Sequence, residues 1–255
     1  MDKKQRDSLN WNLKNPHDSF FKKMLGRKDI ASAFLQAYLP KNLLGEFQLS
    51  TLNPQRGEFV DRKLKQHFSD LLFEVQRQGE PAYVYILVEH KSYPDSKVLF
   101  QLLGYMSKIW EEKLDSHTKK VPPILPILIY HGERKWDVNT NLLDMLHGGD
   151  KMSKAFLEFV PDFRFLAYDY SPESSTPIQG NPLLQIVLLA MRTARQKNRE
   201  IFLKSVKQIV LIMGKRNDPA GIEFLDMIFY YLLHAQDRIS VEDLAKAALE
   251  RGDRV

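Results

Sequence analysis

The chain contains no cysteine, which removes disulfides and thiolate-bound zinc from consideration and fits a reducing compartment. No apolar run approaches the ~20 residues that a membrane-crossing helix needs. The longest candidate, VPPILPILIY from Val121 to Tyr130, is interrupted by prolines and reads as a buried strand. The N-terminal stretch MDKKQRDSLNWNLKNPHDS lacks the apolar core of a secretory signal. Internal repeats and low-complexity tracts are missing too. These absences lead to the expectation of a cytoplasmic protein without membrane association.

What remains is the composition of an ordinary folded chain: 255 residues, 44% hydrophobic and 27% charged. That length accommodates one large domain, or a catalytic core with a helical extension. The net charge of +5 leans only weakly toward a polyanionic partner.

Residues 1–15 are expected to form a flexible tail. PHDSFFKKMLG and DIASAFLQAYLP carry apolar residues at helical spacing, and Pro40 closes that segment. EFQLSTL alternates as a short strand. Ser69–Gln76 and Ala82–Lys91 alternate on either side of RQGEP and are expected to pair as an antiparallel hairpin. SKVLFQLLGYMSKIWEEKLD reads as a helix, ILPILIYHG as a buried strand and DFRFLAYDYS as an edge strand. After SPESSTPIQGNP the pattern is helical from Leu183 to about Arg251. The layout is α/β followed by all-α, divided into residues 16–180 and a helical region 181–255.

The strand YVYILV ends not in turn residues but in Glu89, His90 and Lys91. Alternation puts Glu89 and Lys91 on one face and His90 on the other. A turn centred on Gly79 and Glu80 would set Asp70 opposite Glu89. Two carboxylates that close repel unless a cation lies between them, and oxygen donors suit Mg²⁺, Mn²⁺ or Ca²⁺ rather than zinc. A neighbouring lysine stabilises charge developing on a phosphate. Gln101 and Tyr105, one helical turn apart, share a face that would reach the same place. A surface salt-bridge cluster, with Tyr105 in the core and Gln101 at its rim, accounts for the same spacing. A register slip of one residue would turn Asp70 away.

Asp70, the Glu89-His90-Lys91 triplet and QLLGY resemble the PD-(D/E)XK nuclease arrangement. More narrowly, PHDSFFKKML, FLQAYLP, SDLLFEV, YILVEHKS, LLGYM and PPILPILIYHG, in that order, resemble the Rpn family of recombination-promoting nucleases, also described as YhgA-like transposases. The resemblance covers about Pro16 to Trp136. It implies a restriction-endonuclease-like core: a mixed sheet flanked by helices, with an all-α C-terminal extension. The implied activity is metal-dependent endonuclease cleavage of double-stranded DNA with little sequence preference, linked to recombination. A catalytically silent DNA-binding or transposition accessory protein with the same fold is the alternative. In this mapping Asp70 and Glu89 bind Mg²⁺ (or Mn²⁺ or Ca²⁺), and Lys91 is the catalytic lysine. Asp18 matches an acidic position of the family's first helix, although it also suits an N-cap for SFFKKML. Ser69 stands where the superfamily's name has proline, and Lys91 stands where many family members carry glutamine.

The segment from Arg192 to Arg216 holds eight basic residues against one acid, Glu200. Arg192, Arg195, Lys197 and Arg199 lead it and are the expected phosphate contacts, in a region expected to assist DNA contact or homodimer formation. A solvated helix face explains the same charges. His17, His90 and His131 read as structural, and Arg134 and Lys135 as loop charges near the site's edge.

Overall fold

The structure, a computed structural model, describes residues 15–55, 69–89, 91–114, 119–215, 220–236 and 239–249. The expected N-terminal tail, His90 and Arg216 lie outside them, apart from Asn15. In chain order the elements are α1 (Pro16–Leu25), α2 (Lys28–Tyr38), α3 (Lys41–Leu44), β1 (Phe47–Gln55), β2 (Ser69–Arg77), β3 (Glu80–Glu89), α4 (Val98–Lys113), β4 (Ile124–Tyr130), α5 (Lys154–Leu157), β5 (Leu166–Asp169), α6 (Pro182–Ala194), α7 (Arg199–Gly214), α8 (Ala220–Ala235) and α9 (Val241–Leu249). The class is α/β. The chain divides into two units, residues 40–169 and residues 1–39 with 170–255.

The first unit is built on one five-stranded mixed sheet of order β1-β2-β3-β4-β5. β1, β2 and β3 are antiparallel, while β4 and β5 run parallel to β3. The hairpin turn is Gln78-Gly79, both at positive φ (53° and 84°), as a two-residue type I′ turn requires. This moves the register from the expected one. Arg77 faces Glu80, so Asp70 faces Leu87 rather than Glu89. The displacement is an even number of residues, so the face is preserved.

α4 places Val98, Leu99, Leu102, Tyr105 and Ile109 at 3.6-residue spacing against Leu72, Tyr83, Tyr85 and Leu87 of the hairpin and Leu128 and Tyr130 of β4. The central strand β3 is buried from Ala82 to Glu89, as a strand with neighbours on both sides should be. At its far end, the Trp110 indole N–H donates to the Pro122 carbonyl oxygen at 2.9 Å, fastening α4 to the lead into β4.

The second unit is helical. Phe20 of α1 stacks on Tyr231 of α8 with centroids 3.9 Å apart. His17 Nδ1 lies 2.8 Å from the Tyr231 hydroxyl, which bears out a structural place for that histidine. α6 begins after Asn181, whose side-chain oxygen accepts the Leu184 N–H at 2.9 Å, with Pro182 at the first helical position. α1 follows the same rule. Asn15 accepts the Asp18 N–H at 3.2 Å and Pro16 opens the helix. The expectation that Asp18 might itself be the cap is corrected. It sits inside the first turn, where it pairs with Lys22 at 3.1 Å.

Candidate active site

A carboxylate at the end of an apolar strand needs partners, and the backbone supplies the first. Glu89 is 1% exposed. The Lys91 N–H donates to its Oε1 at 3.0 Å, and Lys91 Nζ lies 3.6 Å from Oε2. Beside it, the His131 N–H donates to the Glu89 carbonyl oxygen at 2.8 Å, extending the parallel pairing one residue past β4. His131 is fully buried.

Asp70, facing Leu87 on β3, is diagonal to both Tyr85 and Glu89 and shares their side of the sheet. Diagonal neighbours are ~7–8 Å apart, close enough for carboxylates to share one ion. The Tyr85 and Tyr105 hydroxyls come to Asp70 from the strand and from α4. Burial first, and then the Asp70 charge, raise the pKa of both phenols. Glu89 adds to the effect at Tyr105, which therefore neighbours both carboxylates. The two rings are 5.4 Å apart and tilted by 40°. Gln101 is half-buried one turn before Tyr105. Its side-chain oxygen is buried and meets no hydrogen-bond donor among the described residues.

Lys91 is held from its far side. Its Nζ donates to Asp95 Oδ2 at 2.7 Å, and Asp95 Oδ1 accepts the Lys97 N–H at 2.9 Å at the start of α4. Burial opposes the Lys91 charge, but the Asp95 hydrogen bond and the Glu89 and Asp95 charges outweigh it and raise its pKa. Burial likewise opposes the Asp95 charge, and Lys91 with the Lys97 N–H outweighs it, so its pKa is lowered. Gly132 closes the floor. A Cβ there would fall on the Tyr130 hydroxyl and 2.5 Å from the Lys91 carbonyl oxygen, so only glycine allows this approach of chain to chain.

The structure thus brings Asp70, Glu89, Lys91 and Tyr105 together, with Gln101 one turn away on α4. Asp18 belongs to the helical unit. Sequence reasoning missed Asp95 and Tyr85. Tyr85 could have been found by strand alternation back from Glu89, and Asp95 from its place just before the first turn of α4.

Among the described residues, no three His, Asp or Glu side chains converge on a point where a metal could bind. Two carboxylates with oxygen donors only suit Mg²⁺ or Mn²⁺, which keep several waters and take one or two protein carboxylates beside substrate phosphate. They suit Ca²⁺, with its six to eight oxygen ligands, less well, and a structural zinc not at all.

In the helical unit the leading basic residues have differing surroundings. The Arg192 guanidinium donates to the Thr176 carbonyl oxygen at 2.6 Å and lies over the Tyr170 ring. Arg199 pairs with Asp243. Arg195 is half-buried and Lys197 exposed.

The profile of a family described as "Putative transposase, YhgA-like" matches residues 15–219. The chain is similar to "Recombination-promoting nuclease RpnC" of Escherichia coli K12, 28% identical over 196 residues, which is 76% of this chain and 64% of that protein. It is 25% identical over 242 residues to "Recombination-promoting nuclease RpnA" of the same strain, covering 94% of this chain and 79% of that one. Over 224 residues it is 25% identical to a protein named "Inactive recombination-promoting nuclease-like protein RpnE", also from that strain, covering 88% and 72% of the two chains. The chain therefore spans just under two thirds of the length of RpnC. No solved structure matches it. Among the described residues, no helix is long and apolar enough to cross a membrane.

Proposed function

The chain belongs to the YhgA-like transposase family, which includes the recombination-promoting nucleases, and on that premise we propose that it is a divalent-metal-dependent DNA endonuclease acting in recombination. One observation carries the reading: Asp70 and Glu89 lie diagonally across one face of the β2–β3 hairpin, with the Lys91 ammonium 3.6 Å from Glu89.

Asp70 and Glu89 would hold Mg²⁺ or Mn²⁺. A bound divalent ion polarises phosphoryl oxygens and makes water a stronger nucleophile near neutral pH. Around it, Lys91 stabilises negative charge developing on the attacked phosphate. Tyr85 and Tyr105, kept protonated by burial and by Asp70, keep an O–H to donate through the physiological range beside the Asp70 carboxylate. The Lys91 N–H fixes one oxygen of Glu89 and leaves the other facing the site. Water adds its oxygen to phosphorus and gives up a proton to solvent, while the P–O3′ bond in line with it breaks and the 3′-oxygen takes up a proton from solvent. Exposed basic residues such as Lys197 provide sequence-independent attraction to double-stranded DNA.

The second reading is a silent DNA-binding or accessory protein, suggested by the relative whose name calls it inactive. The presence of Asp70, Glu89 and Lys91 in this chain favours the enzyme. The test is supercoiled plasmid incubated with purified protein. Nicking or cutting is expected with Mg²⁺ or Mn²⁺ and none in EDTA, and cleavage that persists in EDTA would remove the metal from the reaction.

A further inference from the structure

Lys91 stands between two carboxylates and is not shared equally. Its Nζ is 2.7 Å from Asp95 Oδ2, a short charge-assisted hydrogen bond, and 3.6 Å from Glu89 Oε2, a longer ion pair. Asp95 cannot follow the lysine, because its other oxygen accepts the Lys97 N–H at 2.9 Å at the head of α4. With its side chain only 16% exposed, Asp95 is anchored at both oxygens. We propose that Asp95 is a positioning residue that keeps the Lys91 ammonium at the longer ion-pair distance from the Glu89 carboxylate, so that a divalent cation can compete for Glu89.

The physical problem is competition. Glu89 is buried, and a buried carboxylate takes whatever cation comes closest. An ammonium two residues along the chain is always at hand, at far higher effective concentration than dissolved Mg²⁺. Left alone, Lys91 would tighten its ion pair with Glu89 to hydrogen-bond distance. The Asp95 bond diverts it while keeping it near enough to meet a phosphate. Asp95 is not itself a third ligand of this pair, since no three acidic or histidine side chains among the described residues gather round one point. The same residue ties the lysine to the helix that carries Gln101 and Tyr105.

This inference rests on the metal reading above, and binding measured without cleavage separates the two. Mn²⁺ affinity is read by electron paramagnetic resonance on the full chain as wild type, Asp95→Asn, Lys91→Ala and the double variant. Asparagine keeps an oxygen for the Lys97 N–H and loses only the charge. An opposite charge within about 4–6 Å lowers a carboxylate's proton affinity by one to three decades, and a closer ammonium should act on Mn²⁺ in the same sense, so Asp95→Asn should weaken Mn²⁺ binding about tenfold or more. The double variant should recover it, because no ammonium is left to intrude. A fold defect would not be repaired by removing Lys91, so recovery separates positioning from simple destabilisation. Asp95→Glu, which keeps the charge, should bind Mn²⁺ close to the wild-type level. Wild-type affinity in Asp95→Asn, or equal weakness in the single and double variants, overturns the proposal. If the wild type binds no Mn²⁺ at all, the metal reading itself falls and this inference with it.

Discussion

The charges at the end of β3 and those at the start of α7 obey different economics of solvation. Glu89 is almost wholly buried, and the neighbouring charges are fixed by named partners, Lys91 by Asp95 and Asp95 by the head of α4, while the neutral phenols of Tyr85 and Tyr105 lie beside Asp70. Arg199 is 64% exposed and its pair with Asp243 is on the surface, while Arg192 has turned inward to a carbonyl and a tyrosine ring of its own unit. Burying a carboxylate costs several kcal/mol unless its surroundings compensate, whereas an exposed arginine costs almost nothing. An expensive arrangement is evidence of purpose in a way that a basic stretch of sequence is not. The contrast can be broken by substitutions at both ends.

The largest effect is expected at the carboxylates. Asp70→Ala should lower plasmid cleavage by ~10³, the upper range for losing one element of transition-state stabilisation, while DNA affinity measured by fluorescence anisotropy stays nearly unchanged. On the proposed reading, affinity would come from lysine and arginine contacts with phosphate rather than from the acids. Wild-type cleavage by this variant would take Asp70 out of the site.

Lys91 comes next. Lys91→Ala should lose ~10² in rate, and Lys91→Gln should lose less because it keeps a hydrogen-bonding end. The side chain is about one third exposed, and Glu89 retains the Lys91 backbone N–H in either variant. Melting temperature in the presence of Mg²⁺ should therefore shift little. Early melting with normal cleavage would make this lysine structural.

Much of this was legible in the sequence. The continuous apolar run gave away the central strand, and the 3.6-residue spacing from Val98 to Ile109 gave away α4. The hairpin was visible but its register was not, because Gln78 adopts a positive φ that its identity does not announce. Two-residue periodicity protected the conclusion, since a slip of two kept Asp70 on the Glu89 face. The cap of α1 was misjudged although Pro16 signalled the true start. What no local pattern could reveal was tertiary. His17 meets Tyr231 across 214 positions, and Asp95 earns its role only once the chain bends after Glu89.

A smaller and purely structural effect sharpens the contrast from below the site. At Gly132 an added methyl would meet the Tyr130 hydroxyl and the backbone of Lys91, and a backbone atom cannot swing away. Gly132→Ala should cost about 1–3 kcal/mol of stability through overpacking, seen as a lower denaturant midpoint, with cleavage falling in step. Gly104 is the control. Beyond its own helix backbone, nothing among the described residues lies within 4 Å of where its Cβ would be, and it lies mid-helix, so Gly104→Ala should stabilise by about 0.5–1 kcal/mol. Equal destabilisation at the two glycines would mean that the close approach at Gly132 does not govern its cost.

The smallest effect is expected in the helical unit, and its size is the point. Arg199→Ala removes one half of an exposed pair, worth about 0–1 kcal/mol, so thermal melting should barely move. If Arg199 also meets a DNA phosphate, log affinity plotted against log salt should lose about one unit of slope. If Lys197 meets phosphate too, Lys197→Ala should change the slope by the same amount with little change in melting, because Lys197 is exposed. Arg192→Ala should do the reverse. Its guanidinium is committed to Thr176 and Tyr170, so its loss should lower the melting temperature and leave the salt slope alone. A slope unchanged in both Arg199→Ala and Lys197→Ala would show these charges to be solvated helix surface and send the search for the DNA footprint elsewhere.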